Sequence, residues 1–468
     1  MATAPASWPV LFRGRRLPHT VLLTLSIGVH AIGLFIVSTV FPSVVGDLGG
    51  AAFYTWATML YTIMSIMGTA CGGLLKARLD LRYGYILGAL VHLAGAVGCA
   101  VAPHFAMLLA ARALQGLGSG LLIALAYSMI SELYDEELRP LILSAVSGMW
   151  GVAALIGPVV GGMFADIGWW RGAFWAATPV LLLLSMLAWS TLPPMPRQGM
   201  GERLPLLRLL LLGTGVLAVG WSGQVASLEW RLVLLAVACL FVGSTFQLDR
   251  QIVNRLFPSR PLSLQRQVGT GYWIFFLYGM TTSQITVFMP LAIQVLYGVS
   301  LLRAGYFTAI LSIAWTVTAL LSASLQDRRV HLVVLLGPVV MTCGVAGVAA
   351  FAVPGPLGGL SLALFWVGGG IGLCFAHISS WTMAAAQPGE QALTASSIPM
   401  IQSLGIAFGA AIAGLVANAA GIAEGISPAT VAAAATWVSR VGIVAPACII
   451  ILALRLRWLR RGAVSTAG

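Results

Sequence analysis

Long apolar runs, each of about 20 residues, follow one another along this 468-residue chain. The hydrocarbon core of a bilayer is about 30 Å thick, and a helix needs about 20 mostly apolar residues to cross it. Because lipid offers no hydrogen-bond partners to the backbone, such runs must cross as helices. The pattern predicts fourteen spans, at residues 20–42, 54–75, 84–103, 105–130, 141–164, 172–193, 205–227, 231–248, 269–297, 303–325, 330–353, 357–380, 394–420 and 440–457.

Two polar segments divide the predicted spans into groups of six, two and six. We therefore predict an all-α polytopic membrane protein built from two six-helix bundles and two inserted helices. The predicted parts are a cytoplasmic N-terminal segment (1–19), a six-helix bundle (20–193), a cytoplasmic linker (194–204), two inserted helices (205–248), a second cytoplasmic linker (249–268), a second six-helix bundle (269–457) and a cytoplasmic tail (458–468).

The composition excludes a soluble enzyme. Apolar residues make up 59% of the chain and charged residues 8%, whereas soluble domains have about 45–50% and about 25%. The six cysteines are scattered through apolar segments without a Cys-x-x-Cys pair, so we expect free thiols and no metal or other cofactor. The chain has no P-loop motif, which argues against ATP-driven export.

The basic residues indicate how the chain is oriented. With a cytoplasmic N-terminus, 20 of the 25 basic residues lie in inside segments, four lie in outside segments, and Arg112 lies within a span. This positive-inside bias predicts that both termini are cytoplasmic. It also explains the net charge of +12 without a nucleic-acid partner, because the basic residues form no continuous face.

Five short motifs lie in order along nearly the whole chain: Arg-x-x-Gln-Gly-x-Gly at 112–118, Gly-Pro-x-x-Gly-Gly at 157–162, Trp-Arg at 170–171, Pro-Leu-x-x-Gln at 290–294 and Gly-x-x-x-Gly at 405–409. Together with the six-two-six arrangement, they resemble the major facilitator superfamily, specifically its fourteen-helix drug:proton antiporter branch of the multidrug efflux type. The resemblance implies two halves that rock about a central cavity to give alternating access.

The resemblance also implies two gating or structural motifs. Their residues are Gly157, Pro158, Gly161 and Gly162 in the fifth span, and Gly73, Arg78, Asp80 and Arg82 after the second span. The proline bends its helix and the glycines allow close helix contact, which serves either a seal against leak or plain packing. In the second motif Ala77 stands where the family has Asp, and Asp80 stands where it has Gly, so the relatives' charged gate is incomplete.

The first span lacks the acid that relatives use for proton or cation handling. Aligned on Pro42, Gly33 takes the position of the family Asp, and Ser38 takes the position of the family Asn. All thirteen acidic residues fall in loops or at the ends of the predicted spans. A cavity without carboxylates does not pair strongly with a lipophilic cation, so this pattern favours neutral or anionic cargo.

Arg112 and His30 are the candidate residues for transport and proton coupling. Arg112 lies about 10 Å into the fourth span at about 1.5 Å per residue, so its guanidinium must face a cavity or a partner. There it acts on a proton site or an anionic substrate group, or it caps backbone carbonyls. His30 lies in the middle of the first span, where it titrates in place of the missing Asp or is held inertly by a neighbouring helix. His92, in the third span, is expected away from the central cavity.

Six further residues are candidates to line a substrate cavity. They are Gln115, Ser38, Gln284, Gln294, Tyr127 and Trp150. The two amide side chains in the motifs orient a substrate by hydrogen bonds in a medium of low dielectric, although packing between helices explains them nearly as well. Most Trp and Tyr residues in such chains face lipid or other helices.

The resemblance implies proton-coupled efflux of an amphiphilic small molecule, a drug-like compound or metabolite, across a bacterial inner membrane. The expected partners are that substrate, protons and the bilayer, and we expect a monomer that is not an enzyme. Two alternatives stay open. One is a proton-independent uniporter, importer or lipid flippase, and the more remote one is a non-transporting membrane sensor or enzyme.

Overall fold

The computed structural model describes residues 8–14, 16–49, 54–192, 206–222, 225, 227–250, 255–299, 301–353, 355–422 and 427–465. Over these ranges the chain forms sixteen helices and no strand. The helices are α1 (Trp8–Leu11), α2 (Arg16–Leu48), α3 (Tyr54–Ala100), α4 (Phe105–Leu133), α5 (Arg139–Asp166), α6 (Arg171–Trp175), α7 (Ala177–Thr191), α8 (Leu206–Ser222), α9 (Leu228–Asp249), α10 (Gln267–Tyr297), α11 (Leu301–Ser322), α12 (Arg328–Phe351), α13 (Leu357–Ala384), α14 (Gln391–Ala419), α15 (Pro428–Gly442) and α16 (Val444–Ser465).

Eleven segments among the described residues are long and apolar enough to cross a membrane. Each of the fourteen predicted runs overlaps a helix, but the runs at 54–75, 205–227 and 303–325 are not among the eleven. Helix α8, for example, has 17 residues, or about 26 Å at about 1.5 Å per residue, against a hydrocarbon core of about 30 Å. The all-α membrane fold is confirmed, whereas the count of fourteen spans is not.

The chain divides into two compact units. Unit 1 comprises Met1–Gly213, Gln247–Pro258 and Gln387–Met400, and unit 2 comprises Thr214–Phe246, Ser259–Ala386 and Ile401–Gly468. The predicted linker at 194–204 lies outside the described residues. The predicted domain boundaries therefore stay predictions.

A single backbone break interrupts α3 where the sequence predicted a loop. The helix continues on both sides of Asp80, whose φ of 73° and ψ of 159° lie in a region that essentially only glycine adopts without strain. The Asp80 carboxylate accepts a hydrogen bond from the backbone N–H of Leu81, and the side chain is buried. This geometry explains why the family motif has glycine at the position of Asp80.

Glycines on two faces of α4 let it pack directly against both parts of α3 in unit 1. A Cβ atom at Gly116 would overlap the Tyr61 carbonyl, and one at Gly120 would overlap the Ser65 carbonyl. A Cβ at Gly118 would overlap the backbone N–H of His92, on the second part of α3. Backbones that approach this closely gain van der Waals contact, which is the main force between helices in lipid.

The Gly-Pro-x-x-Gly-Gly motif packs α5 against α2. A Cβ at Gly157 would lie 2.5 Å from the Phe35 Cβ, and a Cβ at Gly161 would overlap the Thr39 hydroxyl. A Cβ at Gly162 would meet no described atom within 4 Å, so its part in this contact stays a prediction. Pro158 lies inside α5, next to the contact that Gly157 makes.

Unit 2 packs by the same means. A Cβ at Gly405 would overlap the Phe276 carbonyl, which brings α14 against α10, and a Cβ at Gly368 would overlap the Leu311 carbonyl, which brings α13 against α11. The inserted helices α8 and α9 meet α14 through Ala218, Ala238 and Ala411.

The Arg208–Asp249 and Asp47–Arg171 ion pairs of unit 1 lie at helix ends. Arg208 of α8 and Asp249 of α9 form a buried pair, and Asp249 also accepts hydrogen bonds from the backbone N–H groups of Leu256 (2.8 Å) and Phe257 (2.9 Å). Asp47 lies beyond the first span, at the end of α2. It accepts from Arg171 Nη1 at 2.7 Å and from Trp170 Nε1 at 3.1 Å, and these hydrogen bonds hold its pKa below the ordinary 3.8.

We predict that Gly120→Ala destabilises the protein by about 1–3 kcal/mol, because the new methyl group forces α4 away from the Ser65 carbonyl. The measurement is the thermal unfolding midpoint of the purified protein in detergent. Gly358→Ala is the matched control, since a Cβ there meets no described atom within 4 Å. Equal midpoints for the two variants would contradict the close packing of α3 and α4.

The Asp47 contacts predict a pH-dependent contribution to stability. Because the folded-state pKa of Asp47 is lowered, its stabilising effect is present at neutral pH and is lost as the pH falls through that value, below about pH 4. Asp47→Asn should therefore lower the melting temperature slightly at pH 7, and the difference from wild type should shrink below pH 4. A difference that stays constant down to pH 3 would show that the carboxylate charge contributes nothing.

Candidate functional site

Arg112 is the centre of a buried polar group in unit 1. It lies seven residues into α4, and its side chain is 0% exposed. Its Nη1 donates to Gln115 Oε1 at 2.6 Å, and its Nε donates to the carbonyl of Ala57 at 3.4 Å. Its Cζ lies 4.2 Å from the centre of the Tyr61 ring, where the aromatic face attracts the cation.

His30 belongs to the same group through hydrogen bonds with two hydroxyls. Its Nδ1 lies 2.6 Å from Ser119 Oγ and 3.0 Å from the Tyr61 hydroxyl. The Tyr61 hydroxyl also donates to Ser119 Oγ at 3.0 Å. The rings of His30 and Tyr61 stack with centroids 5.6 Å apart, and the Trp150 ring meets His30 edge-on, also at 5.6 Å.

These residues form one connected set, which we call the Arg112 cluster. Its members are His30 from α2, Tyr61 and His92 from α3, and Arg112, Gln115 and Ser119 from α4. Tyr61 joins its two ends, because the ring lies against Arg112 while the hydroxyl bonds His30 and Ser119. His92 joins through its Nε2, which lies 3.5 Å from Gln115 Nε2.

Two polar atoms of the Arg112 cluster lack a partner among the described residues. They are Arg112 Nη2 and His92 Nδ1, both buried. No carboxylate among the described residues pairs with Arg112. A buried charge that is incompletely hydrogen-bonded costs free energy. An acceptor group that binds Arg112 Nη2 would reduce this cost.

Gly33 lies beside the Arg112 cluster. A Cβ at Gly33 would lie 3.7 Å from the Tyr61 hydroxyl oxygen, an ordinary van der Waals distance. The family Asp in this position would therefore stand next to Tyr61 and within the same polar group. Its absence leaves the Arg112 cluster without an acid among the residues that the structure describes.

The structure places the candidate cavity residues in different surroundings. Gln115 belongs to the Arg112 cluster and Trp150 contacts it through His30, whereas Tyr127 is buried in α4 with no described hydrogen bond. The side chain of Ser38 lies outside the described residues. In unit 2, Gln294 is half-buried near the end of α10. Gln284, also on α10, is buried, and its Oε1 has no described partner.

In the motif after the second span, Arg82 contacts the end of α7. Arg82 Nε donates to the Leu192 carbonyl at 2.6 Å, and its Cζ lies 5.5 Å from the Trp189 ring centre. This cation therefore holds the end of α7. Asp80 is buried at the helix break, Arg78 is half-buried, and the surroundings of Gly73 lie outside the described residues.

Three members of the Arg112 cluster were not predicted as site residues from the sequence. Tyr61 and Ser119 carry no distinguishing signal, since hydroxyl and aromatic residues are common in membrane spans. His92 was expected away from the central cavity, and the structure places it beside Gln115, because Gly118 lets the second part of α3 pack against α4. The spacing of Arg112, Gln115 and Ser119 at three and four residues places them on one helix face, a signal that was available.

A sequence model described as the Major Facilitator Superfamily matches residues 23–410. The chain belongs to the major facilitator superfamily. It is 33% identical over 435 residues to the "Probable multidrug-efflux transporter Rv1634" of Mycobacterium tuberculosis, covering 90% of this chain and 91% of that protein. It is 24% identical over 426 residues to the multidrug transporter protein MdtP of Bacillus subtilis, covering 87% and 76%.

The fold agrees with that membership. The human organic anion transporter MFSD10 superimposes with a TM-score of 0.69 at 13% sequence identity, covering 94% of this chain and 100% of that one. This facilitator is thus a multi-pass membrane transporter with multidrug-efflux relatives, and its family and fold are those of transporters rather than enzymes.

We predict that Tyr61→Phe destabilises this facilitator by about 1–3 kcal/mol, because it leaves His30 Nδ1 and Ser119 Oγ without their shared hydroxyl partner. Thermal unfolding of the purified protein measures the effect. Tyr127→Phe is the matched control, since Tyr127 is a buried residue of α4 whose hydroxyl makes no described hydrogen bond. If both variants unfold at the same temperature, the hydrogen bonds of Tyr61 do not stabilise the Arg112 cluster.

Proposed function

We propose that this protein is a secondary active transporter that exports amphiphilic small molecules, neutral or anionic, in exchange for protons by alternating access. Its 33% identity to a mycobacterial protein named for multidrug efflux supports export of drug-like compounds. The fourteen-helix antiporter branch is supported by the overlap of every predicted run with a helix. The distribution of basic residues supports cytoplasmic termini, and the bacterial relatives support a bacterial inner membrane.

The observation that carries the proposed substrate class is the state of Arg112. It is a buried cation with one donor, Nη2, without a described partner, and with no described carboxylate to neutralise it. An anionic or acceptor-rich group of a substrate can supply what Nη2 lacks, with the added strength of a charge-assisted hydrogen bond. A cationic substrate would meet only like charge from Arg112.

The proposed proton site is His30. Its Nδ1 lies within hydrogen-bond distance of two hydroxyls, and a hydroxyl both donates and accepts. Tyr61, Ser119 and His30 together therefore offer a short path along which a proton can move between helices α2, α3 and α4. Protonation of this imidazole would then replace the titration of the missing Asp.

A proton-independent uniporter or lipid flippase remains the second candidate. The observation that favours it is Gly33, because the acid that couples relatives to protons is absent from the Arg112 cluster. The hydrogen bonds of His30 are also those expected of a histidine that stabilises helix packing and carries no proton during transport. Transport that proceeds equally with and without a proton gradient would establish this candidate.

The deciding experiment measures proton movement in energised inverted vesicles with a pH-sensitive dye. Matched anionic, neutral and cationic amphiphiles are added to vesicles with wild type, His30→Asn or Arg112→Gln, and to vesicles without the protein. His30→Asn is informative because the Asn amide occupies the place of Nδ1 without titrating. We expect anionic and neutral compounds to release protons through wild type, and His30→Asn to lose proton release while it stays folded.

The two residues give separable outcomes. Arg112→Gln should reduce the export of anionic compounds more than that of neutral ones. The substitution removes the positive charge but keeps hydrogen-bonding capacity. Compound export without any proton signal in wild type would overturn antiport. Export of cations alone would overturn the proposed substrate class.

The position of Gly33 provides a gain-of-function prediction. Gly33→Asp fits beside Tyr61, because its Cβ lies at an ordinary contact distance, and it adds a carboxylate to a cluster that has one fixed cation. We expect this variant to export cationic amphiphiles that wild type does not, in the same vesicle assay. Gly33→Ala is the matched control, and cation export by both variants or by neither would contradict the role assigned to the missing acid.

A further inference from the structure

A cavity of about 350 Å³ lies within unit 2, between α9, α10 and α14. Its volume falls at the lower end of the range of about 300–1,000 Å³ found for small-molecule sites. Its walls are aliphatic and aromatic, and they include Phe276 and Phe408, whose ring centres are 5.8 Å apart. The indole N–H of Trp273 is turned away to the Leu262 carbonyl at 3.1 Å, so this wall offers an occupant apolar surface.

The cavity opens at a helix face that is exposed. Cys239 lines the cavity and is exposed, and the next residue on α9, Leu240, is 64% exposed. In a helix that crosses a membrane, exposed apolar residues face acyl chains. The cavity is therefore continuous with a surface that meets lipid.

The depth of the cavity matches one leaflet of a bilayer. On α10 it extends from Tyr272 to Met280, which lie about 8 Å and about 20 Å from the start of the helix at about 1.5 Å per residue. On α9 it reaches Cys239, about 15 Å from the end of that helix. Both depths are counted from the polar segment that joins α9 to α10, and half of a hydrocarbon core is about 15 Å thick.

The segment at the shallow end of the cavity is basic. Residues 250–267 contain four arginines and no Asp or Glu. Within unit 2, Arg260 is exposed and lies two residues before Leu262, which lines the cavity. Arg266 lies four residues after Leu262 and directly precedes α10. Arginines at a membrane surface attract anionic lipid head groups.

We propose that this cavity binds one acyl chain of an anionic phospholipid, whose head group lies against Arg260 and Arg266. The chain fills the space between α9, α10 and α14 in the leaflet next to the basic segment. The bound lipid thereby joins the inserted helix α9 to helices of the C-terminal half. This site is separate from the Arg112 cluster and does not depend on the proposed antiport.

A larger side chain at position 243 would fill the cavity and so test the proposal. Gly243 lines the cavity, and a Cβ there would meet no described atom within 4 Å, so Gly243→Leu extends into open space. Gly414→Leu is the matched control, because it is also a glycine of a spanning helix in unit 2 with no described atom near its Cβ, and it does not line the cavity. Arg260→Gln with Arg266→Gln tests the head group, and Arg328→Gln with Arg329→Gln, both exposed, is its control.

The experiment is native mass spectrometry of the full-length protein after incubation with equal amounts of phosphatidylglycerol and phosphatidylethanolamine in detergent. Wild type and both controls should retain one phosphatidylglycerol in preference to phosphatidylethanolamine. Gly243→Leu should lose most of the retained lipid, and the Arg260/Arg266 double variant should retain both lipids equally. Equal retention by Gly243→Leu and wild type, or no preference in wild type, would overturn the proposal.

A second measurement uses the unmodified protein and so does not depend on the folding of a variant. Added phosphatidylglycerol should slow the reaction of Cys239 with N-ethylmaleimide and leave Cys343, the exposed cysteine of α12, unchanged. An unchanged rate at Cys239 would contradict occupancy. Protection by an exported amphiphile instead of the lipid would make the cavity part of the substrate path and would likewise overturn the lipid assignment.

Discussion

The cost of an unpaired charge in hydrocarbon governs the arrangement of this protein. Among the described residues the acids lie in loops, at helix ends or, for Asp80, at the break in α3, and Arg112 is a buried cation well inside α4. Its charge is spread over three kinds of weak partner: the amide of Gln115, the carbonyl of Ala57 and the face of Tyr61. Each partner must be held at contact distance, so α3 and α4 have to pack with little space between their backbones.

Glycine supplies that close packing. In unit 1 the glycines at 116, 118 and 120 admit backbone atoms of α3, and in unit 2 Gly405 and Gly368 do the same for α10 and α11. In water this density of glycine would weaken helices, because each one adds conformational freedom to the unfolded chain. In a membrane the helix is already enforced by backbone hydrogen bonding, so the gain in packing outweighs that loss.

Much of the fold could be predicted from the sequence, because the apolar runs have the length that a bilayer requires and the motifs of the family lie in order. Arg112 could be found because a charge in an apolar run is conspicuous. Tyr61 and Ser119 could not, because their role depends on which helices touch and on small differences in helix rotation. The break at Asp80 was predicted only as a loop, since an aspartate at positive φ leaves no mark in the periodicity.

Tyr61 contacts both Arg112 and His30, and this double contact bears on how the free energies of the two groups are coupled. Its ring contacts the guanidinium and its hydroxyl contacts the imidazole, so one rigid phenol couples two ionisable groups on different helices. Free energies of coupling are reciprocal: if a ligand at Arg112 alters the proton affinity of His30, protonation of His30 alters the affinity for that ligand by the same factor. In the proposed antiporter, where Arg112 binds substrate and His30 carries the proton, this one side chain would link substrate occupancy to protonation.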